Sequence, residues 1–142
     1  MTDLAARQIH LAPDELAFVA KAAYFFVPDY DVVIYGSRAR GDHRRRSDID
    51  IAVFGAPDPF DIDVTRFYTV LREFELTLQP KIVQMHEHKA AGFRQNVLED
   101  GLLVYEGCGA FRAERSRVGY DSTEPPFWSV EAAARATAKT SS

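Results

Sequence analysis

The sequence predicts an α/β domain, a small mixed sheet with helices packed largely on one face. Three observations predict it. Four short runs rich in Val, Ile, Leu, Phe and Tyr, at 31–36, 48–54, 81–85 and 102–105, have the composition of strands. Three longer stretches, at 13–27, 61–78 and 88–100, repeat apolar residues at helical spacing. Proline and glycine mark the joins, at Pro28, at Gly55 to Pro59, at Pro80 and at Gly101.

The elements follow in order. Residues 1–11 read as a loose start, without the charged-then-apolar pattern of a signal peptide. Pro13-Asp14-Glu15 suits a first helical turn, where proline is tolerated and acids face the positive end of the helix dipole. Leu16, Val19, Ala20, Ala23, Phe26 and Val27 form its apolar stripe, and Pro28 stops it. Phe18, Tyr24 and Phe25 lie off that stripe, so this helix is either deeply buried or offers a surface to a partner. The helix at 61–78 places Val64, Phe67, Tyr68, Leu71, Phe74 and Leu78 on one side. The one at 88–100 turns Phe93, Val97 and Leu98 inward, with Gly101 as its C-cap.

At 142 residues, 46% of them hydrophobic, the chain is one domain with enough apolar material for a core. The formal net charge of −4 argues against broad, non-specific coating of nucleic acid. A single cysteine, Cys108, excludes an internal disulfide and fits a reducing cytoplasm. No apolar run is long enough to span a bilayer, so no membrane role is expected.

The chemistry is concentrated between the first two strands. The run Val32-Val33-Ile34-Tyr35 ends at Gly36-Ser37, and an Arg-rich turn leads to the strand that starts at Asp48. Asp48 and Asp50 are two apart on a strand, so their carboxylates share a face, roughly 6–7 Å apart at their roots. Ile49, Ile51 and Val53 point the other way, into a core. Two carboxylates so placed can converge on divalent ions, as in two-metal phosphoryl transfer. Gly36 lets backbone approach a ligand closely. Ser37 offers a hydroxyl and an N–H to phosphate. Arg38 and Arg40 supply cationic forks for phosphate oxygens, and Arg44-Arg45-Arg46 either join them or form a solvated loop. Such a set suits a nucleoside triphosphate with Mg²⁺.

Gly36-Ser37, ten intervening residues and then Asp48-Ile49-Asp50 resembles the signature of the DNA polymerase beta-type nucleotidyltransferases. The fuller pattern, Gly36-Ser37-Arg38-Ala39-Arg40-Gly41 and then Ser47-Asp48-Ile49-Asp50, is similar to the minimal nucleotidyltransferases, often antitoxin partners of HEPN ribonuclease toxins. The resemblance covers roughly residues 13–106. It implies a palm-like fold over residues 1–106, with residues 107–142 as a C-terminal extension. It also implies Mg²⁺-dependent transfer of a nucleoside monophosphate, AMP from ATP, to a hydroxyl, with a HEPN-type toxin as acceptor. Asp48 and Asp50 would be the catalytic metal ligands; Gly36, Ser37, Arg38, Arg40 and Ser47 would bind nucleotide.

One position departs from the pattern. Family members commonly carry a third carboxylate on the strand after the long helix, where this chain has Lys81. Glu75 or Glu87 could substitute for that acid; Lys81 could neutralise triphosphate; or the domain binds nucleotide or partner without turnover. Alternation puts Ile82 toward the core and Lys81 with Val83 on the opposite face, toward the carboxylates. His86 and His88 have no standard zinc spacing and read as a surface turn. His43 lies in the Arg-rich turn and reads chiefly as a loop residue, with contact to a leaving pyrophosphate as the lesser reading. Residues 107–127 read as irregular, and Trp128 to Lys139 has an Ala-rich, helical composition. The over-apolar first helix and Trp128 together predict assembly with itself or with a partner.

Overall fold

The structure is a computed structural model and describes residues 13–36, 49–57, 60–73, 79–85 and 90–119. In chain order its elements are α1 (Pro13–Phe26), β1 (Asp31–Tyr35), β2 (Ile49–Phe54), α2 (Ile62–Glu73), β3 (Pro80–Met85), α3 (Ala91–Asp100), β4 (Leu102–Tyr105) and α4 (Ala110–Arg117). The strands form one sheet in the order β3-β2-β1-β4. β1 pairs antiparallel with β2 and with β4, while β2 pairs parallel with β3. The parallel pair needs a crossover, and α2 lies within it. The sheet is therefore mixed, as predicted.

Period-two alternation sorts each strand onto two cores. Val32 and Ile34 of β1, Ile49, Ile51 and Val53 of β2, and Leu102 and Val104 of β4 face one side. They pack there against Leu16, Val19, Ala22 and Ala23 of α1 and Val64, Phe67 and Leu71 of α2. Phe67 is fully buried, worth roughly 2–3 kcal/mol relative to exposure. The two longer helices thus share one face. Val33, Ala52, Phe54, Met85 and Leu103 face the other side, where Val97 and Leu98 of α3 and Phe111 of α4 cover them. Phe54 and Phe111 meet edge to face with ring centroids 5.2 Å apart.

The start of α2 is pinned by Asp61. Its Oδ1 accepts the N–H groups of Asp63 (2.9 Å) and Val64 (3.1 Å), satisfying donors that a helix start leaves open. Its Oδ2 accepts the Tyr30 hydroxyl at 2.5 Å, and its own N–H donates to Gln84 Oε1 on β3. That carboxylate holds the Tyr30 phenol up at about 12, chiefly through the hydrogen bond and then through burial.

Two expectations change here. The stretch after Glu106, read from sequence as irregular, contains α4. What organises it is Asp31, fully buried at the start of β1. Asp31 Oδ1 accepts the N–H groups of Gly107 (2.9 Å), Cys108 (2.9 Å) and Gly109 (3.1 Å), and Oδ2 accepts that of Phe111 (2.9 Å). One carboxylate thereby caps the helix and fixes the loop before it. Arg115 of α4 donates to the Leu98 carbonyl, and Glu114 pairs with Arg94 of α3. Gly101 does end α3, but with extended backbone at φ −66° rather than the left-handed cap glycine usually supplies. Its glycine is needed for space, because a Cβ there would come within 3.0 Å of Val33, the Val97 carbonyl and Phe111. Phe74, Leu78, His86, Glu87, His88 and the stretch 120–142 with Trp128 lie outside the described residues.

Candidate nucleotide and metal site

The Gly-Ser end of the sheet is built by three neighbouring strands. β1 ends at Tyr35, which pairs across the antiparallel ladder with Asp50. Asp50 in turn pairs across the parallel ladder with Lys81. Tyr35, Asp50 and Lys81 therefore form one row across the sheet, on the face that carries Val33, Ala52 and Val83 further along. Ile51 and Ile82, the next residues, pair with each other and pack on the opposite face. Lys81 thus stands where alternation put it, beside Asp50, and is exposed.

Gly36 follows Tyr35 with φ +78°, in the left-handed region that costs a residue with a Cβ roughly 1–2 kcal/mol. A Cβ at this position would also sit 2.6 Å from Asp50 Oδ2. The glycine is required twice over, by conformation and by the carboxylate lying against it. Backbone and carboxylate thus lie in close contact at this end of the sheet. Asp50 is half-buried at the second residue of β2, whose first N–H, that of Ile49, donates to the Gln79 carbonyl at 3.0 Å.

Tyr35 is the residue that the sequence reading passed over. Its ring packs edge to face on Phe93 of α3, centroids 5.6 Å apart. Burial first, and then the Asp50 charge, push its phenol up to about 12. The signal was available, since Tyr35 is two residues beyond Val33 and directly precedes Gly36. The structure brings Gly36, Asp50 and Lys81 together. Ser37, Arg38, Arg40, His43, Arg44 to Arg46, Ser47, Asp48 and Glu75 lie outside the described residues, as does Glu87. Among the described residues no cluster of three or more His, Cys, Asp or Glu gathers as a metal site. A hard carboxylate oxygen against a glycine backbone is nonetheless donor chemistry that fits Mg²⁺ shared with phosphates.

The family described as "Polymerase beta, Nucleotidyltransferase" matches residues 30–107, more than half of the chain. The chain belongs to this nucleotidyltransferase family. The matched span runs from the turn before β1 to the loop after β4 and holds the whole sheet. A Methanocaldococcus jannaschii protein named "Putative protein adenylyltransferase MJ0604" is 35% identical over 78 residues, 52% of this chain and 76% of the relative. Haemophilus influenzae "Probable protein adenylyltransferase MntA" is 38% identical over 54 residues, 38% of this chain and 46% of the relative. The fold is also that of a solved toxin–antitoxin complex with AMP-PNP, at TM-score 0.54 and 22% identity, covering 76% of this chain and 95% of that one. A mutant MntA–HpeT toxin–antitoxin complex is similar at TM-score 0.53 and 21% identity, covering 71% and 92%. Among the described residues of this nucleotidyltransferase domain, no helix is long and apolar enough to cross a membrane.

Proposed function

We propose that this nucleotidyltransferase domain moves AMP from ATP to a hydroxyl on a partner protein in the cytoplasm, and that the partner is a HEPN-type toxin. The observation that carries the reading is the contact of Gly36 with Asp50, a phosphate-compatible turn laid against a metal-compatible carboxylate. Relatives named protein adenylyltransferases, and toxin–antitoxin complexes among the structures of like fold, support it.

Asp50, with Asp48 beside it in sequence, would hold Mg²⁺ by carboxylate oxygens. Gly36, Ser37, Arg38, Arg40 and Ser47 would hold the triphosphate. Mg²⁺ held there would neutralise phosphate charge and polarise the α-phosphorus. The acceptor oxygen then bonds to the α-phosphorus and the bond to the β-bridging oxygen breaks, so pyrophosphate leaves with that electron pair. The hydroxyl proton passes to water. Tyr24 (62% exposed) and Phe25 (67% exposed) project from α1 beside Tyr105 and suit docking of the partner, or self-assembly.

A second reading has its own observation. Lys81 beside Asp50 favours a catalytically degenerate module that binds nucleotide or covers its partner without transfer. Incubation with labelled ATP and the partner separates the two. Label on the partner that disappears in Asp50→Asn supports transfer, whereas a stable complex that never takes label supports the module.

A further inference from the structure

We propose that Lys81, in register beside Asp50, places a positive charge that disfavours free divalent metal at the site and favours metal already bound to nucleotide. This rests on the reading of Asp50 as a metal ligand. The two residues are register partners on adjacent parallel strands, so their backbones run about 4.8 Å apart and their side chains leave the same face. Ile51 and Ile82, the next pair, turn to the opposite face, which fixes the direction of both. Pro80, just before Lys81, is buried, and the Ile49 N–H bonds to the Gln79 carbonyl. The root of Lys81 is therefore held by the sheet, while its stem reaches into solvent beside the carboxylate.

The sign of the effect depends on what arrives. A free divalent ion at Asp50 would be repelled by the Lys81 ammonium, and for a separation of roughly 6 Å in a water-like dielectric such repulsion lowers affinity about tenfold. A metal–triphosphate complex carries net negative charge, so the same ammonium attracts it. Tyr35, the other neighbour of Asp50 in the row, is a neutral phenol at working pH and does not offset Lys81. One lysine thus makes the site discriminate between bare metal and chelated metal.

The test uses the full chain and Mn²⁺ as probe, read as loss of the free-ion paramagnetic resonance signal, with and without ATP. Lys81→Met keeps an unbranched stem at an exposed position, and Lys81→Gln serves as a second neutral variant. Both should bind free Mn²⁺ about tenfold more tightly than wild type, and Mn²⁺–ATP no more tightly. The gain on free Mn²⁺ should shrink as salt screens the lysine. Adding Asp50→Asn should abolish it. Unchanged or weaker binding of free Mn²⁺ in both lysine variants, while Asp50→Asn still removes wild-type binding, would overturn the role of the Lys81 charge and leave the metal ligand standing. An equal gain on Mn²⁺–ATP would also overturn it, since Lys81 would then be a plain competitor. Mn²⁺ binding indifferent to Asp50→Asn in every background would remove the metal-ligand reading itself, and this inference with it.

Discussion

Asp31 and Asp50 sit at opposite ends of the same two-stranded ladder, Asp31 opposite Phe54 and Asp50 opposite Tyr35. Their surroundings differ as their roles should. Asp31 is fully buried and accepts four backbone N–H groups from residues 107–111. Its oxygens are committed to the chain itself, and they tie the last described helix to the first strand. Asp50 is half-buried, lies against a glycine backbone and has a lysine in register beside it. Asp31 spends its oxygens on four backbone amides deep in the fold, whereas Asp50 is less buried and lies against the Gly36 backbone. Burial distinguishes the two where residue type does not.

The comparison breaks most visibly in stability. Asp31→Ala leaves several buried amides without an acceptor and should cost about 3–4 kcal/mol, lowering the melting temperature by about 10 °C. Asp50→Asn should move the same melting curve by less than about 0.5 kcal/mol. Equal losses in the two variants would erase the distinction. Next in size is Gly36→Ala. Left-handed backbone and the approach to Asp50 Oδ2 should cost it about 1–2 kcal/mol in a denaturant titration, together with most nucleotide binding. Smaller still is the effect of removing Tyr24 and Phe25. Changing both to serine should alter stability by less than about 0.5 kcal/mol, yet weaken assembly in light scattering with the partner. Complexes unaffected by the double change would move the docking surface elsewhere.

The smallest effect is spectroscopic. Tyr30 and Tyr35 both have phenols raised to about 12. Because the folded value lies above the ordinary 10, the neutral phenol is favoured by folding. That contribution is complete below pH 10 and is lost as pH rises from 10 through 12. Burial also raises the Tyr105 phenol, so tyrosinate absorbance should show a late-titrating fraction from several groups, part of which Tyr35→Phe removes. Asp50→Asn should lower the Tyr35 value, but modestly, since burial is the larger cause. An unchanged titration would separate Tyr35 from Asp50.

Much of this was legible in the sequence because it is periodic. Alternation along β2 already divided Ile49, Ile51 and Val53 from Asp50, and alternation along β3 already set Lys81 on the Asp50 side. Leu16, Val19 and Ala23 marked the buried stripe of α1. What escaped was carried by contacts between distant parts of the chain. α4 reads Ala-Phe-Arg-Ala-Glu-Arg-Ser-Arg, with Phe111 as its single large apolar anchor. Periodicity cannot find such a helix; its capping group, Asp31, lies about eighty residues earlier, at a position that looked like an ordinary strand start. Gly101 shows the same limit from the other side. Its position at a helix end was readable, but the reason for it, the closeness of Val33 and Phe111, belongs to tertiary packing.

The central claim is that the Gly36–Asp50 end of the sheet takes a nucleoside triphosphate with its metal. A calorimetric titration of Mg²⁺–ATP into wild type and into the Asp48→Asn/Asp50→Asn variant tests it most directly, with melting curves confirming that both are folded. The account predicts saturable binding by wild type and its loss in the folded double variant. Absence of binding by wild type at millimolar ATP, or equal binding by both proteins, would contradict it.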